Sequence, residues 1–251
     1  MNNLAYINKP AGKVLAFRPA QDNTSDHRRT NSPYKSNGVK KATTAEPIRT
    51  PEQLQAIQRY FLDKGEYRNY VLLTLGVSFA LRCGDLLSLR LYDVYDEYLE
   101  PRQWVTLYED KTNKRNKVFI NSAAQDALRF YMTVRETASL DEPLFPGRKH
   151  NADGSLRAIN IDQVNAIFRK VEAEMELPFH FSSHSMRKTF AYQSITRSHG
   201  DQETLYTLQY ILNHEDLRTT FRYSGVQEDK MVELREAMSA VLMTPATMPR
   251  P

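Results

Sequence analysis

Two short stretches near the end of the chain carry side chains suited to chemistry on an anion. His184 and Arg187 are spaced i, i+3, so a helix would present both donors on one face. Tyr223 follows His214 by nine residues. Arginine holds anionic oxygens through two parallel hydrogen bonds, and tyrosine is a nucleophile once its hydroxyl proton is lost. Each stretch by itself also fits an ordinary structural role.

Two further patches lie earlier in the chain. Arg82 and Asp85 stand at a predicted helix start among apolar residues, and Lys111 stands in a polar turn. A buried Arg–Asp pair is often purely structural, and a lone turn lysine is usually solvated. The four patches therefore indicate a functional site only in combination and in this order.

The elements that would position these side chains are mostly helices. Thr50, followed by Pro51, predicts a helix start. Apolar spacing predicts helices over 51–61, 67–81, 84–91, 122–136, 161–174, 184–198, 203–212 and 229–242. Residues 103–108 and 117–120 predict two strands around a polar turn, and 151–155 predict a surface loop. The expected fold is mainly α with one small antiparallel β-hairpin, over about 50–243.

Composition places the chain in a broad class. Its 251 residues include a single cysteine, Cys83, which excludes an intramolecular disulfide and a cysteine-based zinc cluster. No apolar run has the length of a membrane span, and the first 30 residues lack the apolar stretch of a secretory signal. These features predict a soluble, cytoplasmic protein.

Positive charge is concentrated at the start of the chain. Residues 1–50 hold nine Lys/Arg against three Asp/Glu, whereas the remainder holds 25 against 27. Residues 1–49 are polar and lack apolar periodicity, which predicts a basic, disordered arm. Such an arm suits contact with a polyanion, although a merely solvated tail has the same composition. The candidate DNA contacts in the arm and the hairpin are Arg28, Arg29, Lys40, Lys41, Lys114 and Arg115.

Taken together, the four patches resemble the tyrosine recombinase, or phage integrase, family. The catalytic residues of that family follow one another as Arg, Lys, His-x-x-Arg, His and Tyr. The matching positions here are Arg82, Lys111, His184, Arg187, His214 and Tyr223. The resemblance covers about 50–243 and implies the tyrosine recombinase catalytic domain fold.

The resemblance also implies a role for each residue. Arg82 and Arg187 would hold the non-bridging oxygens of a DNA phosphate, which suits guanidinium groups because they stay charged. Tyr223 would attack the phosphorus and form a 3′-phosphotyrosine bond. Lys111 would act as general acid and protonate the leaving 5′-oxygen.

The remaining matched positions would support this chemistry. His184 and His214 would donate hydrogen bonds or relay protons. Asp85 falls on the acidic position that helps to order the family's site. The sequence departs from the family pattern at Asn213, where glycine is usual, and at Lys188, where histidine often follows the second arginine. Both departures concern local geometry and remove no catalytic group.

The implied function is site-specific DNA recombination on a mobile genetic element, by integration, excision, inversion or resolution. The chemistry needs no metal and no cofactor. The expected partners are double-stranded DNA with specific recombination sites, three further copies in a tetramer on DNA, and an accessory DNA-bending protein. Met231, Leu234, Met238 and Val241 form an apolar stripe, so 228–243 would be a subunit-exchange helix and 244–251 a flexible tail.

The layout resembles short family members, such as fimbrial invertases and plasmid resolvases, that lack the usual N-terminal core-binding domain. The main alternative is a non-catalytic DNA-binding regulator that retains the recombinase fold. The full set of six catalytic positions argues against it, because a pure binder does not need them all. A metal site at His184 and His214 has no supporting carboxylate spacing.

Overall fold

The computed structural model describes residues 44–110, 114–137 and 139–241. Within these ranges the fold is mainly helical, with two small antiparallel hairpins. Lys111 and the four candidate DNA contacts of the arm lie outside the described residues. The helices are α1 (Pro51–Asp63), α2 (Tyr67–Phe79), α3 (Cys83–Ser88), α4 (Leu91–Val94), α5 (Ser122–Val134), α6 (Ile161–Glu174), α7 (Ser183–Arg197), α8 (Gln202–Ile211), α9 (Leu217–Ser224) and α10 (Val226–Ala237). The strands are β1 (Trp104–Tyr108), β2 (Arg115–Phe119), β3 (Pro146–His150) and β4 (Leu156–Ala158).

Helix α1 begins where the sequence predicts. The Thr50 side chain accepts a hydrogen bond from the backbone N–H of Gln53, and the Gln53 side chain accepts one from the backbone of Thr50. This capping box satisfies donors that the first turn leaves open. Ile57 and Phe61, one turn apart, are fully buried against the core.

Helix α2 runs through the centre of the domain. Its residues 71–73 and Leu75 are fully buried, and it packs against α1, α5 and α7. Because α2 is apolar on every side, it needs neighbours all round. A Cβ added to Gly76 would overlap the side chain of Met186 on α7, so the two helices are in close contact there.

The predicted hairpin is present, and its turn is shorter than expected. Strands β1 and β2 pair in antiparallel register from Trp104 with Phe119 to Tyr108 with Arg115. Arg115 and Asn116, expected in the turn, belong to β2. Asn116 pairs with Leu107 of β1. Its side chain supports this pairing by donating a hydrogen bond to the carboxylate of Glu109, at 3.0 Å.

A second hairpin, β3–β4, was not predicted. The expected surface loop 151–155 is its turn, closed by a hydrogen bond from the Asn151 N–H to the Ser155 carbonyl at 2.9 Å. Gly154, with φ of +82°, occupies the left-handed conformation that glycine accepts without strain. The short strands lack the β-branched alternation on which strand prediction relies.

Three other helical segments differ from prediction by more than one or two residues at an end. The helix expected over 84–91 ends at Ser88, because Leu89 is extended, and a separate short helix, α4, follows. Helix α9 was not predicted. The last helix was expected over 229–242, but it runs over Val226–Ala237 and continues as one 3-10 turn, Met238–Ala240.

The folded unit begins before α1. Residues 1–43 lie outside the described part of the chain. Residues 46–49 form no regular secondary structure, but they pack against the rest of the domain. Ile48 is fully buried, and its N–H donates to the Thr189 hydroxyl on α7 at 2.8 Å. Residues 46–49 therefore belong to the domain, although the sequence assigns them to the arm.

Among the described residues, no helix combines the length and apolar character that crossing a membrane requires.

Candidate active site

The side chains of four sequence-predicted residues converge where α3, α7 and α9 meet the β1–β2 hairpin. Arg82 precedes α3, Arg187 lies on α7, His214 joins α8 to α9, and Tyr223 lies on α9. The charges of Arg82 and Arg187 both influence the ionisation of Tyr223 and of His214. The four residues therefore form one electrostatic site, although they are spread over more than half of the chain.

Arg82 is held by an acid that the sequence did not single out. Its guanidinium pairs with the carboxylate of Glu109, whose side chain is 2 % exposed. The same carboxylate accepts hydrogen bonds from Asn116 at 3.0 Å and from Asn213 at 3.2 Å. Glu109 thus joins the start of α3, the hairpin and the residue before His214. Nothing in the sequence distinguishes it from the other charged residues of a polar turn.

Asp85 connects α3 to the base of the hairpin turn. The residue is buried, and one carboxylate oxygen accepts the backbone N–H of Asp110 at 2.9 Å. Asp110 directly precedes Lys111 in the chain. The Asp85 carboxylate therefore fixes the backbone at the point where the lysine-bearing turn begins.

Arg187 is buried between the ends of two helices. Its Nη1 donates to the Ala80 carbonyl at 2.7 Å and its Nη2 to the Leu212 carbonyl at 2.6 Å. These carbonyls follow α2 and α8, where helices leave acceptors unpaired. Burial lowers the pKa of Arg187, and the nearby charge of Arg82 adds to the shift. The ordinary pKa of arginine is so high that the guanidinium still carries its charge.

Tyr223 lies within reach of these positive charges. Burial raises the pKa of its hydroxyl, whereas Arg187 and Arg82 act in the opposite direction. Its ring packs edge-on against the ring of His214, with centroids 5.2 Å apart, and the Lys188 ammonium lies 5.5 Å from the ring centroid. Tyr223 therefore keeps its proton at neutral pH, beside cations that would stabilise the phenolate as the proton leaves.

The short connection between α8 and α9 orients His214. Its Nδ1 lies 3.1 Å from the hydroxyl of the buried Thr220, and the Gln209 side chain donates to the His214 carbonyl at 3.1 Å. Asn213 adopts a left-handed conformation, with φ of 50°. Burial lowers the pKa of His214, and Arg187 and Arg82 lower it further, so the imidazole is neutral at pH 7.

His184 lies in the first turn of α7, one turn before Arg187, and is exposed. Partial burial lowers its pKa, and the charges of Arg187 and Lys188 add to the effect. In the hairpin, Lys114 donates to the Asn213 side chain at 3.2 Å, and Arg115 is exposed on β2. In the described ranges, no group of three His, Cys, Asp or Glu side chains is placed to hold a metal ion.

A cleft of about 780 Å³ opens beside these residues, between β2 and α8. We call it the β2–α8 cleft. Its lining is basic and aromatic and reaches His214. The lining residues are Glu109, Lys114, Arg115, Asn116, Lys117, Tyr206, Gln209, Tyr210, Asn213 and His214.

Comparison with known proteins identifies the family. The model of the phage integrase family matches residues 49–230 of this chain. The chain belongs to the phage integrase family. That match includes all four convergent residues and ends within α10. It begins two residues before α1, at the last residue of the packed segment 46–49.

Two relatives of different lengths show how much of a longer or shorter family member this chain matches. The chain is 32 % identical to the probable integrase/recombinase YoeC of Bacillus subtilis, over 73 % of this chain and 91 % of that protein. It is 26 % identical to the tyrosine recombinase XerC of Caldanaerobacter subterraneus, over 68 % of this chain and 44 % of the relative. The matched part thus spans most of YoeC and under half of XerC.

Solved structures agree on the fold of this phage integrase family member. The XerA recombinase superposes with a TM-score of 0.56 at 17 % identity, over 81 % of this chain and 66 % of that one. The XerH site-specific recombinase, solved in a post-cleavage complex with a palindromic difH substrate, superposes with a TM-score of 0.53 at 19 % identity. That superposition covers 72 % of this chain and 51 % of the XerH chain.

Proposed function

We propose that this chain is a site-specific tyrosine recombinase that cuts and rejoins DNA through a covalent bond to Tyr223. The observation that carries the proposal is the position of the Tyr223 hydroxyl in the field of two arginines, Arg82 and Arg187. A phosphodiester between those guanidiniums would be neutralised where attack concentrates negative charge. Donors that are held ready for such charge commonly contribute about 3–4 kcal/mol each to catalysis.

The proposed reaction is a transesterification. The Tyr223 oxygen attacks the phosphorus as its proton passes to a neutral histidine of the site or to water, and the bond from phosphorus to the 5′-oxygen breaks. The 5′-oxygen takes a proton from Lys111 and departs as a hydroxyl. Because one ester replaces another, the reverse attack by a 5′-hydroxyl can reseal the strand. His184 and His214, neutral at pH 7, would donate hydrogen bonds to the phosphate oxygens or relay protons.

The resting arrangement of Arg82 supports this account. Its pairing with the buried Glu109 carboxylate holds the guanidinium beside Tyr223 before DNA arrives. Ordering the arginine in advance reduces the conformational entropy that must be lost at the transition state. The role proposed for Asp85 is to fix the turn that carries Lys111, through its bond to the Asp110 N–H.

We propose that the active form is a homotetramer on DNA that carries specific recombination sites, assisted by a DNA-bending protein. XerH, a structural neighbour, was solved bound to its difH substrate. On this chain, α10 and the turn after it expose the apolar side chains of Met231, Leu234, Met238 and Val241. Such a stripe suits insertion into another copy. The proposed place of action is the cytoplasm, on DNA.

The test is covalent capture on a nicked suicide DNA taken from the locus that flanks the gene. The wild-type chain should form an adduct that survives denaturation. Tyr223→Phe should bind the same DNA with unchanged affinity and form no adduct, because only the nucleophilic oxygen is missing. Adduct formation by the variant at the wild-type rate would refute the assignment. Binding without any adduct by the wild type would instead favour a regulator that retains the fold.

A further inference from the structure

The β2–α8 cleft has one wall made of exposed aromatic rings. Tyr206 and Tyr210 are one turn apart on α8 and share a face, with 53 % and 87 % of their surface exposed. Leu205 and Leu208 on the same helix are buried and secure it to the domain. The two tyrosines thus contribute little to the core, although their rings are among the larger apolar surfaces that a residue can bury.

The opposite wall is positively charged. Arg115 and Lys117 alternate along β2 with Asn116, whose side chain is bonded to Glu109 instead. Lys117 lies 4.4 Å from the centroid of the exposed Trp104 ring on β1. The acidic residue that lines the cleft, Glu109, is buried and paired with Arg82, so the accessible charge is positive.

The cleft is fixed in place relative to the candidate active site. The Gln209 side chain, between the two tyrosines in sequence, donates to the carbonyls of His214 and Glu215, both at 3.1 Å. Lys114 bonds to Asn213 across the cleft. A DNA strand bound at the candidate active site would therefore have the two tyrosine rings beside it.

We propose that the β2–α8 cleft binds unpaired nucleotides of the cleaved strand, with phosphates against Arg115 and Lys117 and bases stacked on Tyr206 and Tyr210. The proposal rests on the proposed recombinase function, because cleavage is what frees a strand end at this position. Cationic grooves with aromatic platforms are the usual means of holding single strands without reading their sequence.

Size and ring exposure favour an unpaired strand over a duplex. A volume of 780 Å³ falls in the range of about 300–1,000 Å³ that is typical of pockets for one small molecule. It can admit one or two nucleotides but is too small for a double helix. In a duplex the faces of the bases are also covered by their neighbours, so the exposed rings of Tyr206 and Tyr210 would find no partner for stacking.

The first experiment measures affinity for a short fluorescein-labelled oligothymidine and for a duplex of equal length, by anisotropy at low salt, with the full chain. Tyr206→Ala/Tyr210→Ala should weaken single-strand binding about 5- to 150-fold for each stacked base that is lost, and duplex binding much less. Tyr210→Phe keeps the ring and should bind like the wild type. Tyr98→Ala, at a tyrosine that is 78 % exposed outside the cleft, is the matched control.

The charged wall is tested separately. Arg115→Ala/Lys117→Ala should flatten the slope of log K against log salt for the oligothymidine by about 1.4, since each phosphate contact to a single strand contributes about 0.7. Unchanged single-strand affinity in the tyrosine double variant, or an equal loss for single strand and duplex, would overturn the proposal.

Covalent capture separates this inference from the proposed function. On nicked suicide DNA the tyrosine double variant should form the Tyr223 adduct at the wild-type rate but rejoin an added 5′-hydroxyl strand more slowly. If the wild type forms no adduct, the recombinase assignment fails while the oligothymidine measurement still decides whether the cleft binds single strands. Rejoining at the wild-type rate by the variant would count against a role in strand exchange.

Discussion

At the scale of single residues, Asn213 combines two roles that its sequence context does not reveal. Its backbone is left-handed, with φ of 50°, which turns the chain from α8 towards His214. Its side chain donates to Glu109 and accepts from Lys114. By resemblance to the family, glycine is usual here, and the backbone conformation accounts for that preference. Asparagine is among the few other residues that tolerate it.

The two roles can be separated by substitution. Asn213→Gly keeps the backbone angle without strain, so its cost should be that of the lost side-chain bonds, about 0.5–1.5 kcal/mol each. Asn213→Val should cost about 1–3 kcal/mol more than Asn213→Gly, because a β-branched residue is strained there. Urea unfolding of both variants measures the difference. Since each variant loses the side-chain bonds equally, an identical cost for the two would show that the backbone conformation is unimportant.

The sequence alone identified the candidate site residues, but it did not identify Glu109, the residue that connects several of them. Arg82, Arg187, His214 and Tyr223 were recognisable because they follow a family order. Glu109 was not, because its significance lies in three contacts made by the folded chain. A carboxylate in a polar turn has the same local sequence signature whether it is solvated or buried.

At the scale of elements, the contact between α2 and α7 sets the position of Arg187. Gly76→Ala should destabilise the domain by about 1–3 kcal/mol, because the added methyl overlaps the Met186 side chain in a packed core. Gly84→Ala is the matched control, since its Cβ would meet only Ile161 at an ordinary 3.9 Å. Urea unfolding measures both, and equal effects would contradict the tight contact.

Replacing Met186 tests the same contact from the other side. In a chain that already carries Met186→Ala, Gly76→Ala should cost less than it does alone, because the clash has been removed. The difference between the two costs is the coupling energy of the pair. Additive costs would show that contact with Met186 is not what makes Gly76→Ala unfavourable, and helix propensity cannot account for such a cost because it favours alanine.

Elements were predictable where they are long and periodic. The mainly helical fold with an antiparallel hairpin is confirmed, and α6 has the predicted bounds. Helix α9 escaped prediction because it has eight residues, and its apolar side chains are few. Its start depends on Asp216, which caps the N–H of Thr219 at 2.6 Å. That signal is short enough to occur in many turns.

At the scale of the whole molecule, α10 is attached to its own domain yet exposes an apolar stripe. Arg49 pairs with Asp229 at 3.2 Å. Because the exposed stripe is proposed to contact another copy, deleting residues 228–251 should weaken synapsis and recombination more than single-site cleavage. Native gels of synaptic complexes and the rate of adduct formation measure the two effects.

A variant of the apolar stripe distinguishes insertion of α10 into another copy from docking of α10 on its own domain. Met231→Gln/Leu234→Gln/Met238→Gln removes exposed apolar groups and leaves Asp229 in place. This variant should lose synaptic complexes as the deletion does, without loss of stability in urea. Intact synaptic tetramers in both variants would rule out a role for α10 between subunits.

The basic arm is expected to add phosphate contacts to those of the domain. Deleting residues 1–43 should flatten the slope of log K against log salt for duplex DNA by about 3–4, if roughly four charges engage at about 0.9 each. Sequence specificity should change less than affinity, because phosphate contacts carry little base information. Binding titrations of both chains at several salt concentrations measure the slope. An identical slope would mean that the arm does not touch DNA.

The packed segment that follows the arm has a mechanical consequence. Ile48 is inserted beside α7, and the ring of Pro47 lies against Gly225, where an added Cβ would be 3.5 Å from the proline Cγ. Gly225 is two residues beyond Tyr223, at the junction of α9 and α10. The first packed residues of the domain and the end of the tyrosine-bearing helix are thus mechanically coupled, because a displacement of Pro47 would be felt at Gly225.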